Sequence, residues 1–308
     1  MRREGLRRSK PCRAARQDGP VESTQRAPLL TVVVPTWNRA GLLTGALQAL
    51  GEQTVEPPVY EILVVDDGSK DDTAGAVQTF AETHPELDVE YVRRPNGGIN
   101  AARNTGIATA RGEIVAFVDD DELAPSGHVA GILENLAAHP EASGTGGPYL
   151  DAPHGGVRTC DQCSLGAARL PIIGAGNATS LLGGNMALRR TALEAVGPFA
   201  ESLSGRADEL EWFSRAGTAG HRFWYDQSLF IWHRRDTMSL LDMCRSQFRQ
   251  GRSLPRSFAL MGDPWRPRPV LTARYVVHGV RRRCGKGFIL ASRDAGSLAS
   301  WLGLRLKR

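Results

Sequence analysis

Apolar and polar positions change rhythm along the chain. Four short runs rich in aliphatic and β-branched residues, at 31–34, 62–65, 89–92 and 114–118, alternate with segments whose apolar residues recur every three or four positions. Continuous short runs fit strands buried on both faces, and the wider spacing fits amphipathic helices. Leu42, Leu43, Ala46, Leu47 and Leu50 predict a first helix capped by Asn38. Ala74, Val77, Phe80 and Ala81 predict a second, capped by Asp71 or Asp72, and Gly97-Gly98 opens a third through Ile99, Ala102, Gly106 and Ile107. Such a β-α-β-α-β-α-β series predicts an α/β domain, a mostly parallel, Rossmann-like sheet with helices on both faces.

Past 118 a helix around Val129, Ile132, Leu133 and Leu136 is clear, and regularity then fades. Residues 143–188 are glycine-rich, and 170–188 carry no charge, but Pro171 and repeated glycines argue for loop and short strand rather than a membrane span. Thr191 and Glu194 have capping-box spacing ahead of a Gly197 stop, and another helix is expected to begin within 208–212. Short strands are expected at 223–225 and 230–232, the second ending in His233.

Composition narrows the class. At 308 residues, with 41% hydrophobic and 23% charged side chains, the chain is an ordinary globular protein of one or two domains. Its net charge of +5 is a sum of unlike parts. Residues 1–28 carry eight basic and three acidic side chains and residues 234–308 carry seventeen and four, which leaves the middle at −13. The organisation read from this is a disordered basic tail (1–28), an α/β domain (29–235, with halves 29–125 and 126–235) and a basic helical extension (236–308). The tail has no apolar core, so it is not a secretory signal. Five irregularly spaced cysteines fit a reducing cytoplasm, and Cys160-x-x-Cys163 lacks the second pair a zinc site needs.

In parallel sheets ligands bind beyond the carboxyl ends of the strands. Pro35-Thr36, Asp66-Asp67 and Asp119-Asp120-Asp121 each follow a predicted strand, so three polar clusters should converge on one rim. Three adjacent carboxylates repel one another, and Mg²⁺ or Mn²⁺ relieves that conflict. The plainer alternative is a solvated acidic turn. No Gly-x-Gly-x-x-Gly comes after the first strand, which argues against a dehydrogenase.

Four runs in order, Val-Val-Val-Pro-Thr-Trp-Asn-Arg (32–39), Ile-Leu-Val-Val-Asp-Asp-Gly-Ser-Lys-Asp-Asp-Thr (62–73), Gly-Gly-Ile-Asn-Ala-Ala-Arg-Asn-Thr-Gly (97–106) and Arg-Gly-Glu-Ile-Val-Ala-Phe-Val-Asp-Asp-Asp (111–121), resemble the family 2 glycosyltransferases. The resemblance implies a GT-A fold, a nucleotide-sugar donor (a UDP-sugar by preference), a divalent cation and inversion at the anomeric carbon. It places Pro35, Thr36, Asp67, Gly98, Arg103, Asn104, Asp119 and Asp120 around the nucleotide-sugar, with Asp67 reading the base. Asp121 and His233 go to the metal, and Asn185 and Glu211 to the acceptor. The family's general base falls in the stretch Asp208-Glu209-Leu210-Glu211, on Glu209 or Asp208, because the usual order of the two acids is swapped.

A non-catalytic binding relative and a sugar nucleotidyltransferase are the alternatives. The second wants a glycine-rich phosphate loop where Pro35-Thr36-Trp37-Asn38 stands. The acceptor is left open among a glycan, a lipid-linked sugar and a small molecule. In the extension, Leu240, Leu241, Met243 and Phe248 with Arg245, Arg249 and Arg252, and Leu298, Trp301, Leu302 and Leu304 before Arg305, Lys307 and Arg308, form basic amphipathic stretches. They suit an anionic membrane surface or the acidic body of the protein itself. No motif or aromatic platform points to nucleic acid.

Overall fold

Strand β1 (Leu30–Thr36) is followed by α1 (Ala40–Gly51) and by β2 (Tyr60–Asp66), and both strands are buried along their whole length. Then come α2 (Thr73–Thr83), β3 (Asp88–Arg93), α3 (Ile99–Thr109) and β4 (Ile114–Phe117). The computed structural model describes residues 28–151, 176–203, 209–234, 239–252, 254–261, 269–281 and 285–305. The four strands are parallel in the order β3-β2-β1-β4, with Leu30 opposite both Tyr60 and Ile114. Alternation sends Val32, Val34, Ile62 and Val64 to Leu43, Leu47 and Leu50 of α1 and Phe80 of α2. Val33, Leu63, Val65 and Phe117 face the other side with Ala102 of α3. Each such side chain taken fully out of water stabilises the fold by about 1.5–3 kcal/mol.

The expected Asn38 cap is corrected. Asn38 sits at φ +53, which a short amide side chain tolerates, and its Oδ1 accepts from Lys70 N at 2.6 Å. Asp71 serves α1 instead, accepting from Ala40 N at 2.9 Å. The turns after β1 and β2 are thereby latched together, with Asn38 N donating to Ser69 Oγ at 2.8 Å.

The second half carries β5 (Glu122–Leu123), α4 (His128–Ala138), β6 (Gly144–Gly146), β7 (Tyr149–Asp151), β8 (Asn177–Ala178), β9 (Met186–Arg189), α5 (Arg190–Val196), α6 (Leu210–Thr218), β10 (Phe223–Tyr225) and β11 (Ile231–His233). The main sheet continues from β4 as β9-β6-β10-β8, and β5-β11-β7 form a small second sheet. Sequence rhythm did not anticipate that β9 runs antiparallel between β4 and β6. Phe117 faces Met186, so the residues just after β4 and those just before β9 meet at one end of the sheet. The capping box at Thr191 does not form. Helix α5 starts two residues earlier, at Arg190, where Arg190 N donates to Glu113 O at 2.8 Å and its guanidinium donates to Ala110 O and Gly112 O.

The extension contains α7 (Leu240–Gly251), α8 (Leu254–Leu260), α9 (Pro269–Arg281) and α10 (Gly285–Arg305). Helices α7 and α10 cross where glycines leave no room for a side chain. A Cβ on Gly251 would lie 2.0 Å from Arg293 O, and one on Gly296 2.0 Å from Phe248 O. Ser297 Oγ donates to Gly251 O at 2.8 Å across this contact, and α8 packs against α6 of the body. Among the described residues no helix is long and apolar enough to cross a membrane. The basic tail, Cys160, Cys163, Asp208 and the side chains of Trp301, Leu302 and Leu304 lie outside the described residues.

Candidate active site

The ends of β1, β2 and β4 bring the polar clusters to one rim, as the strand pattern requires. Thr36, the last residue of β1, donates through Oγ1 to Asp120 Oδ2 at 2.8 Å. The latched turn after β1 delivers Arg39, whose Nη1 lies 2.9 Å from Asp120 Oδ1 and 3.2 Å from Asp121 Oδ2. Burial pushes the Asp120 carboxyl up to about 6, and the Asp121 charge adds to the rise against the opposing pull of Arg39 and Thr36. Pro35 is buried within β1, opposite Val65.

The other end of the triplet rests on a carboxyl that sequence reasoning passed over. Glu122 is fully buried, accepts from Asp119 N at 2.9 Å and bonds Tyr149. Burial, reinforced by Asp119 and Asp121, lifts its proton affinity well above the ordinary range. Tyr149 Oη in turn accepts from Gly184 N at 2.7 Å. Gly184 is there because a Cβ would stand 2.5 Å from both Glu122 oxygens, and Gly183 leaves space for the buried Arg103 guanidinium. Arg103 reaches from α3 to within 3.6 Å of Asp119. Arg39 closes the first motif run and Glu122 follows the fourth, but no pattern gave either a partner.

Strand β11 supplies the last donor. His233 pairs in register with Glu122, which sets its Nε2 3.9 Å from Asp121 Oδ1, and its ring meets Tyr149 edge-on at 5.6 Å. Glu209 is the N-cap of α6, and its charge reaches Tyr149, where it contributes to a raised pKa dominated by burial. Between α6, β8 and α8 lies a cavity of about 720 Å³ lined by Leu210, Phe213, Ser180, Thr218 and Phe258. Leu210 follows Glu209 in sequence, and Ser180 stands three residues before Gly183, so two of the segments lining the cavity run on to the rim.

Several expected ligands are engaged elsewhere. The Asn104 amide donates to Phe199 O and accepts from Phe199 N, both at 2.9 Å. Asn185 is buried, with its amide on Leu229 O at 2.9 Å. Glu211 is bound to Arg215 at 2.7 Å and 3.0 Å, and Arg215 also ties Val196 O and Pro198 O. Asp67 accepts from Arg94, Asn96 and the backbone N–H groups of Gly97 and Gly98. A nucleobase imino group would share that carboxylate with four standing donors. Gly98, at φ +90, opens α3 and could not give this geometry with a side chain.

The arrangement suits a divalent cation as far as donor chemistry goes. Asp121 and His233 are a carboxylate and an imidazole close enough to share one ion at about 2.0–2.2 Å each. Among the described residues no group of three or more His, Cys, Asp or Glu is gathered as an ion site. Two protein donors would leave room in the shell of Mg²⁺ or Mn²⁺ for waters and substrate phosphates.

The family model described as Glycosyl transferase family 2 matches residues 31–197. The glycosyltransferase AglE of Haloferax volcanii is 29% identical over 255 residues, 77% of this chain and 80% of that protein. The validoxylamine A glucosyltransferase of Streptomyces hygroscopicus subsp. limoneus is 38% identical over 119 residues, and the chain spans a quarter (25%) of its length. Among solved structures, the mannosyltransferase PcManGT of Pyrobaculum calidifontis, in complex with GDP-Man and Mn²⁺, superposes with a TM-score of 0.62 at 25% identity, covering 92% of this chain and 81% of that one. S. aureus TarS 1–349 with UDP-GlcNAc gives 0.56 at 16% identity over 91% and 92%, a likeness of fold.

Proposed function

The chain belongs to glycosyl transferase family 2, and on that premise we propose that it transfers a sugar from a nucleotide-sugar, with inversion and with a divalent cation, to an acceptor hydroxyl. The observation that carries this reading is the convergence of Arg39, Arg103, Asp119, Asp120, Asp121 and His233 on the rim where Glu209 opens α6. In a single displacement, Glu209 or its neighbour Asp208 takes the proton of the acceptor hydroxyl as that oxygen bonds to the anomeric carbon. The bond from that carbon to the diphosphate breaks, and the nucleoside diphosphate leaves. Asp121 and His233 would hold the cation, whose chemistry here is neutralisation of the charge on the leaving group. Arg103 and Arg39 supply fixed positive charge at the same rim.

A UDP-sugar is the donor favoured by the motif resemblance, and a GDP-sugar is the second reading because PcManGT was solved with GDP-Man. The cavity beside Glu209 is the place for the acceptor, since its apolar and hydroxyl lining adjoins the base. The setting proposed is the cytoplasm, with the basic extension against the inner face of a membrane.

Release of nucleoside diphosphate from a panel of UDP- and GDP-sugars, with Mn²⁺ and with chelator, tests the reading. Asp121→Ala is expected to abolish metal-dependent turnover while leaving the unfolding midpoint near that of the parent. Glu209→Gln should depress transfer far more than donor binding; if Asp208→Asn is the dead variant instead, the base is Asp208. Metal-dependent turnover undiminished in Asp121→Ala would refute the site, and no turnover of any donor would favour a binding protein.

A further inference from the structure

Helix α9 has two unlike sides. Thr272 and Tyr275 are half-buried, and Thr272 Oγ1 donates to Asp294 Oδ2 of α10 at 3.2 Å. Ala273, Arg274, Val276, Val277, Val280 and Arg281 are exposed. With 3.6 residues per turn, Val276, Val280, Ala273 and Val277 fill one continuous arc, and Arg281 and Arg274 border it along one edge. Val280 is 63% exposed, Val277 46% and Val276 41%, so about half of the stripe's apolar surface still faces water.

We propose that this face of α9 lies in the surface of an anionic lipid bilayer, with the valines entering the headgroup–acyl boundary and Arg274 and Arg281 meeting lipid phosphates. An apolar stripe edged by arginine is the form of an interfacial helix. The extension around it supplies the complementary charge, with seventeen basic against four acidic residues from 234 to 308. Among the described residues no helix can span a bilayer, so the contact is one of lying on the membrane. The inner side of α9 is already engaged with α10, so its outer face docks without unpacking the helix layer. The inference sharpens the membrane part of the reading above and rests on that part alone.

The full chain is floated with phosphatidylglycerol–phosphatidylcholine vesicles and with phosphatidylcholine vesicles. Binding to the first, weakened by salt, is expected. Val277→Glu/Val280→Glu should reduce binding about tenfold or more, whereas Leu260→Glu, on the exposed side of α8, should leave it unchanged. Thermal melts and nucleoside diphosphate release of both variants should match the parent, which separates loss of docking from loss of fold. Equal flotation of the double variant and the parent overturns the α9 face while sparing membrane binding. Failure of the parent to float overturns the membrane reading itself. A concentration-dependent dimer that Val277→Glu/Val280→Glu dissolves would assign the face to a second copy of the chain instead.

Discussion

Replacing Gly184 by alanine tests the least familiar part of the site. The added Cβ would stand 2.5 Å from both Glu122 oxygens, well inside contact distance. Glu122 has no water to retreat into, being fully buried, and its Oε2 holds Asp119 N. Forcing one methyl into such a place costs about 1–3 kcal/mol. If Glu122 yields, the abandoned Asp119 N–H adds about 1–3 kcal/mol, so Gly184→Ala should lose about 2–6 kcal/mol in all. The Asp119–Asp121 turn moves with it, and turnover should fall about 10- to 100-fold, since a displacement on the order of 1 Å is enough. Gly127→Ala is the control, because nothing lies within 4 Å of its added Cβ and its φ of −92 suits alanine. Urea midpoints and nucleoside diphosphate release measure the two effects. Shortening the neighbour with Glu122→Asp should relieve part of the clash, giving a coupling in a double-mutant cycle. Gly184→Ala within about 0.5 kcal/mol of the parent, with unchanged turnover, would refute the idea that Glu122 is wedged beneath the turn.

Buried polar groups give two further expected outcomes. Burial holds His128 neutral, its pKa dropping from 6.5 to about 4 against a bond to the Phe230 backbone that opposes the drop. The unfolded chain therefore binds the proton first, and about 3 kcal/mol of stability present above pH 6.5 is lost as pH falls to about 4. His128→Gln should flatten that slope in urea midpoints taken across the same window, and an unchanged slope would exclude His128 as its source. Asn104→Ala strands the N–H and C=O of Phe199 and should cost about 1–3 kcal/mol. A donor KM raised with stability intact would return Asn104 to the nucleotide.

The strands of the first half were legible because β1, β2 and β4 are buried on both faces and their sequences show it as continuous apolar runs. Their polar termini were legible for the same reason, since a strand that ends in Thr36 or Asp66 must present its next few residues to the rim. The fate of amides was not. Asn104 and Asn185 stand in motif positions, but whether an amide faces ligand or backbone depends on where Phe199 and Leu229 arrive from far along the chain. Glu122 escaped notice because an acid beside three others looks like one more exposed charge, and only the approach of Tyr149 and Gly184 buries it. The caps failed at Asn38 and Thr191 for tertiary reasons: Asp71 takes the Ala40 N–H, and α5 already begins at Arg190, whose N–H donates to Glu113 O.

The position of β9 bears on how the protein can be taken apart. Residues 186–189 complete the sheet between β4 and β6, although they are translated long after the strand they flank. A chain cut after residue 125 therefore ends the sheet at β4 with a bare row of backbone donors and acceptors, the kind of edge that recruits other chains. The first half of the domain is thus not an exchangeable cassette. A chimera that swaps it must keep β9 matched to β4, and a ribosome-bound chain has to protect that edge until β9 emerges.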